Sequence, residues 1–261
     1  MNLSGNTVLI TGGTSGIGLE LTTRLLTLGN TLIITGRDAQ KLESTQRRFP
    51  ELRVVRSDVS DPAAIRRLSD TVIREFPALN IVINNAGIMR KINVHDPQID
   101  LQDITREIDI NLMGPIRMVK AFIPHLKTKQ SAAIVNVSSG LAFVPFAISP
   151  VYSATKAAIH SFTQSLRIQL QNTNIKVFEL APPGTETSLF RGDFSDEDVK
   201  GVTPMDVQTL GKHAIDGIRR DTYEIRPGIA NVLKLMSRVA PDFIVRQLGK
   251  SAGAMLSPPK G

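Results

Sequence analysis

The stretch TVLITGGTSGIGLE, residues 7–20, decides the fold. TVLIT (7–11) is short, apolar and β-branched, as a strand requires, and it passes without a linker into TGGTSGIG (11–18). Gly12, Gly16 and Gly18 fall in the turn between a first strand and a first helix. There they permit a tight turn, close approach of the backbone to a pyrophosphate, and close packing of helix on strand. The helix N-terminus offers unpaired N–H groups and a partial positive charge to phosphates. A glycine triplet alone is common in loops; its place after the first strand of an alternating pattern is what gives it meaning.

That alternation continues outward. TLIIT (31–35), RVVRS (53–57), NIVIN (80–84), AAIVNVS (132–138) and IKVFELA (175–181) predict further strands. Segments near 16–29, 38–48, 61–76, 101–128 and 151–172 predict helices, one starting at Asp61 before Pro62. Near-continuous apolar strands separated by helices mean a parallel sheet covered on both faces. The expected fold is α/β, a Rossmann-like doubly wound parallel sheet of about seven strands. A single domain is expected to span 1–261, with no linker or repeat before residue 185. TETSLFRGDFSDEDVKGVTP (185–204) is polar, charged and flanked by prolines, and predicts a mobile segment over whatever binds at the sheet edge.

Composition narrows the function. The 261 residues are 41% apolar, enough for a sizeable core. No run of about 18 apolar residues predicts a membrane span, and no basic leader precedes the first strand. Zero cysteines exclude disulfides and thiolate metal sites and fit a cytoplasmic protein. A net charge of +7 suits an anionic partner. The cations are scattered, however, so nucleic acid is not expected, and a phosphorylated cofactor or an anionic surface fits better.

The second strand ends in ITGRD (34–38). NAD sites place an acidic residue there to accept hydrogen bonds from the ribose hydroxyls. Here that position is Gly36, and Arg37 follows. Glycine removes the anion that would repel a 2′-phosphate, and a guanidinium can clamp that phosphate bidentately, so NADP(H) is expected over NAD(H). Asp38 reads as the cap of the next helix.

SPVYSATKAAIHSF (149–162) holds one of only two tyrosines. Tyr152 and Lys156, four apart on a helix, share a face with about 5–6 Å between Cβ atoms. An unperturbed phenol, pKa about 10, is a poor base at neutral pH. A nearby cation is expected to stabilise phenolate and make the pair an acid–base device. A surface Tyr–Lys pair is the competing reading of the tetrapeptide alone.

With these motifs in order, the chain resembles the classical short-chain dehydrogenase/reductase family over essentially its whole length, and the DltE-like subgroup in its double proline. The glycine turn matches TGxxxGIG; Asp58–Val59 matches the pair that touches adenine; NNAG (84–87) matches the end of the fourth strand; Tyr152–Lys156 matches YxxxK. ELAPPGTET (179–187) departs from the family motif, with Pro183 at its glycine position and Gly184 at a variable one. The resemblance implies four catalytic residues: Asn111, Ser139, Tyr152 and Lys156. Ser139 is to bind the substrate oxygen, and Asn111 a water that relays protons to Lys156. A plain kink at NLMGP (111–115) is the rival account of Asn111. The resemblance further implies dinucleotide contacts from Gly12, Thr14, Ser15, Gly16, Ile17 and Gly18 in the first turn. Arg37, Asp58 and Val59 follow, then Asn85, Ala86 and Gly87. Pro182, Thr185 and Thr187 complete the set, with Tyr152 and Lys156 at the nicotinamide ribose. The implied activity is NADP(H)-dependent reduction of a ketone or aldehyde; a silent dinucleotide-binding sensor or scaffold is the alternative.

Apolar residues after Ser139, in GLAFVPFAIS (140–149), with Ile88, Met89 and either Leu189 or Phe190, predict an apolar substrate. The histidines at 95, 125, 160 and 213 show no ligand spacing and no acidic cluster, so no metal site is expected. Tyr223 is expected to fill the last strand. In 228–250, Ile229, Val232, Leu233, Met236, Val239, Ala240 and Phe243 follow helical spacing, with a break expected at Pro241. The stripe can cover the sheet, form a subunit interface or rest on an anionic membrane. Core or interface packing is the commoner fate, and with the family's habit it predicts a soluble homo-dimer or tetramer whose membrane contact is at most peripheral.

Overall fold

The computed structural model describes residues 1–199 and 201–253. Lys200 of the predicted mobile segment and residues 254–261 of the predicted domain lie outside the described residues. The first half alternates β1 (Thr7–Thr11), α1 (Gly16–Thr27), β2 (Thr31–Gly36), α2 (Ala39–Arg48), β3 (Arg53–Arg56), α3 (Pro62–Glu75) and β4 (Leu79–Asn84). A single turn α4 (Arg106–Ile108) then leads to α5 (Gly114–Leu126), β5 (Ala132–Val137), α6 (Pro150–Gln169) and β6 (Ile175–Leu180). The short α7 (Ser188–Arg191), α8 (Val207–Arg219), β7 (Glu224–Ile225), α9 (Ile229–Val239) and α10 (Pro241–Gly249) follow.

The strands form one seven-stranded parallel sheet in the order β3-β2-β1-β4-β5-β6-β7. This is the Rossmann-like order, reversing between β1 and β4. Burial on both faces explains the unbroken apolar strands. Val8 and Ile10 pack with Leu21 and Leu25 of α1 and Leu210 of α8, whereas Leu9 packs on the opposite face with Leu68 of α3, Phe122 of α5 and Leu166 of α6. Local chemistry starts the helices. Asp38 accepts from the Gln40 and Lys41 N–H groups, and Asp61 accepts from Ala63 N with Pro62 in the first turn.

Two expectations are corrected, and one of three readings left open is decided. Residues 101–128 are not one helix: a 3₁₀ turn (Asp103–Thr105) and α4 run into a π-helical turn (Asp109–Met113) before α5. Pro115 has no N–H to continue the α ladder back to Asn111, so the chain widens there. Tyr223 precedes β7, is 41% exposed and stacks on Phe178 at 5.4 Å instead of filling the strand. The C-terminal stripe breaks at Pro241 as predicted but does not cover the sheet. Ala230 and Leu233 are buried, while Ile229, Val232, Val239 and Phe243 are each more than half exposed. Among the described residues no helix is long and apolar enough to cross a membrane.

Candidate active site

A cleft of about 390 Å³ follows the C-terminal edge of the sheet across the point where the strand order reverses. Gly12, Thr14, Ser15, Gly16 and Ile17 line one end. Gly12 has φ +68°, and a Cβ there would sit 3.0 Å from Ala86 Cα. Gly18 lies below the cleft, where a Cβ would meet the Gly12 carbonyl oxygen at 2.1 Å. Asn85 Nδ2 donates to the carbonyls of Thr11 (2.9 Å) and Gly12 (3.0 Å), bracing the turn, while Ala86 and Gly87 form the cleft wall. The first turn of α1 has no acidic residue and no side-chain cap, so its N–H groups are available to an anion. A loop without room for side chains beside an uncapped helix start fits a dinucleotide pyrophosphate.

Gly36, Arg37, Asp58 and Val59 line the same end. Arg37 is more than half exposed, with Nη1 3.9 Å from Asp58 Oδ2; the other Asp58 oxygen accepts from the Ser60 N–H (2.9 Å) and hydroxyl (2.7 Å). Lys41 also lines this end, a residue the sequence reading missed. Its signal was the four-residue spacing from Arg37 across the Asp38 cap.

At the other end three successive residues at the C-terminal end of β5 bind three partners. The Val137 carbonyl accepts from Lys156 Nζ (2.9 Å), the Ser138 hydroxyl donates to Glu179 (2.5 Å), and Ser139 hydrogen-bonds Tyr152. Asn111 is buried in the π turn; its Oδ1 accepts from Ile88 N (2.9 Å), and its Nδ2 donates to Ile88 O (2.8 Å) and Thr155 Oγ1 (3.2 Å). A Cβ on Gly87 would lie 3.2 Å from Asn111 Oδ1 and 3.8 Å from Lys156 Nζ, so Asn111 and Lys156 border the same small space. All four predicted catalytic residues therefore converge.

The electrostatics correct one expectation. Burial pushes the Tyr152 phenol up to about 12; the Ser139 hydrogen bond opposes this and the Glu107 charge adds to it. Lys156, 5.5 Å from the ring centroid, does not reverse the effect of burial. Burial likewise lowers the Lys156 ammonium to about 8, and the Glu179 charge works against that fall. The chain alone thus holds Tyr152 as a protonated acid, not as phenolate.

Thr187 lies over the glycine loop, its Cγ2 3.2 Å from where a Gly16 Cβ would stand, and it caps α7. Thr185 is buried, donates to Pro183 O (2.9 Å) and pairs with Met205. Pro182 O accepts from Gly140 N (2.7 Å). Gly184 lies under Phe190, where a Cβ would come within 3.1 Å of the ring. Lys91 pairs with buried Asp198 at 2.7 Å, anchoring the segment over the cleft. Burial pushes the Asp198 carboxyl up, but hydrogen bonds from Lys91 and Ser195 outweigh it and hold the group below its usual range.

Ile88, Met89, Leu141, Phe146, Leu189 and Phe190 line the cleft, whereas Val144 and Ile148 are buried away from it. Ile229 and Leu233 of α9 add to the wall; the sequence reading treated them only as packing. A separate open groove of about 700 Å³, lined by Arg24, Lys212 and Arg220, holds none of the predicted site residues. The absence of an acidic cluster near histidine is also corrected. His160, Glu179 and Glu224 bring ligand-type atoms within 4.8 Å of one another, but Arg226 (2.7 Å) and Lys234 already neutralise Glu224. Strands β6 and β7 place Glu179 opposite Glu224, a pairing that sequence distance conceals.

Fold and site together define a dinucleotide-binding α/β oxidoreductase. A family profile described as "short chain dehydrogenase" matches residues 6–198. A protein of Bacillus subtilis (strain 168) described as "Uncharacterized oxidoreductase DltE" is 38% identical over 250 residues, 95% of this chain and 98% of that one. A short-chain dehydrogenase from Burkholderia cenocepacia J2315 in complex with NADP superposes with a TM-score of 0.81 at 23% identity, covering 99% of this chain and 100% of that chain. The 3-ketoacyl-(acyl-carrier-protein) reductase of Brucella melitensis complexed with NADH gives 0.73 at 26% identity, covering 83% and 91%. The chain belongs to the short-chain dehydrogenase/reductase family and is DltE-like.

Proposed function

We propose that the protein is an NADP(H)-dependent reductase of apolar ketones or aldehydes, with Tyr152 as the proton donor. The observation that carries this reading is a protonated, buried Tyr152 between Ser139 and Lys156 at the apolar end of the cleft, with Arg37 and Lys41 at the other end. When bound, the reduced nicotinamide supplies a hydride. Tyr152 gives its hydroxyl proton to the substrate oxygen, and the Ser139 hydroxyl hydrogen-bonds that oxygen as negative charge grows. The Lys156 ammonium stabilises the phenolate left behind. Lys156 would then pass a proton to the Tyr152 phenolate and recover one from a water held beside Asn111.

Gly12, Thr14, Ser15, Gly16 and Ile17 would hold the pyrophosphate, with Gly18 and Asn85 shaping the turn. Asp58, Val59, Ala86 and Gly87 would flank the adenosine half. Pro182, Thr185 and Thr187 would border the nicotinamide, with Tyr152 and Lys156 at its ribose. Known structures of this fold hold NADP in one case and NADH in another, so the preference for NADPH rests on Gly36, Arg37 and Lys41. Residues 185–204 would act as the movable cover within one domain spanning 1–261. The absence of cysteine supports a cytoplasmic location, and the exposed face of α9 and α10 supports a homo-oligomer, testable by light scattering.

A panel of ketones and aldehydes tests the reading. NADPH is expected to support turnover of apolar carbonyls, and Tyr152→Phe to abolish it with cofactor binding kept. Binding of NADPH with no carbonyl turned over would overturn it.

A further inference from the structure

Fully buried Glu179 is a charged group that the proposed chemistry leaves unused. It sits near the end of β6, and two donors clamp it. The Ser138 hydroxyl donates to Oε1 at 2.5 Å, and His160 Nδ1 lies 2.8 Å from Oε2 and 3.0 Å from Oε1. Gln164 Nε2 donates to His160 Nε2 at 3.1 Å, so Nδ1 carries the hydrogen that Glu179 accepts. Ser138 and His160 both approach the carboxylate as donors. Tyr152, Lys156, His160 and Gln164 recur every four residues along one face of α6, which puts this clamp on the same stripe as the catalytic pair. At the end of β5, adjacent residues bind Lys156 and Glu179, through the Val137 carbonyl and the Ser138 hydroxyl.

We propose that Glu179 is a positioning residue for the Tyr152–Lys156 pair: a buried carboxylate, clamped by Ser138 and His160, that keeps Lys156 in its charged form. Other charged groups also face it. Glu224, its partner across β6 and β7, is bound by Arg226 and Lys234. Burial works against the charge of Lys156, while Glu179 supports it.

The inference rests on the reductase reading, so its test has a readout independent of turnover. In protein labelled with ¹⁵N-lysine, the Lys156 ammonium signal is assigned by its loss in Lys156→Met and titrated. Glu179→Gln keeps shape and removes charge; it is expected to lower the Lys156 midpoint by about one pH unit. Glu179→Asp keeps the charge and should leave the midpoint near the parent value. His160→Leu, which fills the space against Phe143 and removes one donor, should lower it by less. For carbonyl reduction the Glu179→Gln rate should fall about fivefold at pH 8 and hardly at pH 6, since a one-unit shift from about 8 leaves about a tenth of the lysine charged at the higher pH. A midpoint unmoved in Glu179→Gln, or unmoved in His160→Leu should the first variant not fold, overturns the proposal. So does an equal rate loss at both pH values. A shifted midpoint without any carbonyl turnover supports the electrostatic pairing and defeats the reductase reading instead.

Discussion

Replacing Tyr223 with phenylalanine leaves Tyr152 as the sole tyrosine in a chain without tryptophan, so phenolate absorbance then reports one group. Tyr223 lies outside the cleft and is 41% exposed, which makes it a mild site to change. Tyr152 is 7% exposed, and its burial sets a midpoint of about 12, against about 10 for a free phenol. Two units correspond to about 3 kcal/mol of preference for the neutral form. The folded value is raised, so the contribution is fully present below about pH 10 and is lost as pH rises through about 12. Rapid pH-jump absorbance on Tyr223→Phe should give that midpoint before alkaline unfolding intervenes. Urea unfolding should lose up to about 3 kcal/mol more over this range for Tyr223→Phe than for the double variant with Tyr152→Phe. A midpoint at or below the free-phenol value would refute the argument that burial outweighs Lys156 here, and with it the picture of Tyr152 as a pre-formed acid.

Arg37→Ala should weaken NADPH binding roughly tenfold to a hundredfold and leave NADH unchanged, as expected from losing a charge-assisted hydrogen bond of about 1.5–3 kcal/mol; equal weakening of both by calorimetry would show that Arg37 does not read the phosphate. Gly18→Ala places a methyl group 2.1 Å from the Gly12 carbonyl oxygen, so the loop must shift. A loss of about 1–3 kcal/mol in stability, with more than tenfold weaker dinucleotide binding, is expected by thermal melting and titration; unchanged binding would contradict it. Asp198→Asn removes the charged partner of Lys91 and should speed proteolytic cleavage within 185–204 while the sheet stays resistant. Cleavage at the parent rate would show that this pair does not anchor the segment.

The helix at 101–128 failed for a local reason visible only in part: Gly114 and Pro115 warned of a kink, but the π turn that buries Asn111 depends on how closely α5 approaches Val59. The acidic partners of His160 were invisible because Glu179 and Glu224 arrive from separate strands. Lys41 joined Arg37 once Asp38 had set where α2 begins.

What the sequence by itself determined were features with short range and a fixed period. Strand–helix alternation, the glycine turn, the caps at Asp38 and Asp61, and the Tyr152–Lys156 spacing all follow from backbone sterics and one or two turns of chain. Tertiary structure alone decided the charge state of that pair. A phenol four residues from an ammonium reads as an activated base, yet folding removes both from water. Desolvation then raises one and lowers the other, to about 12 and about 8. Solvent exclusion is a property of everything packed around a group, so the spacing identified the pair while the surrounding strands and helices hold Tyr152 protonated and weaken the charge on Lys156.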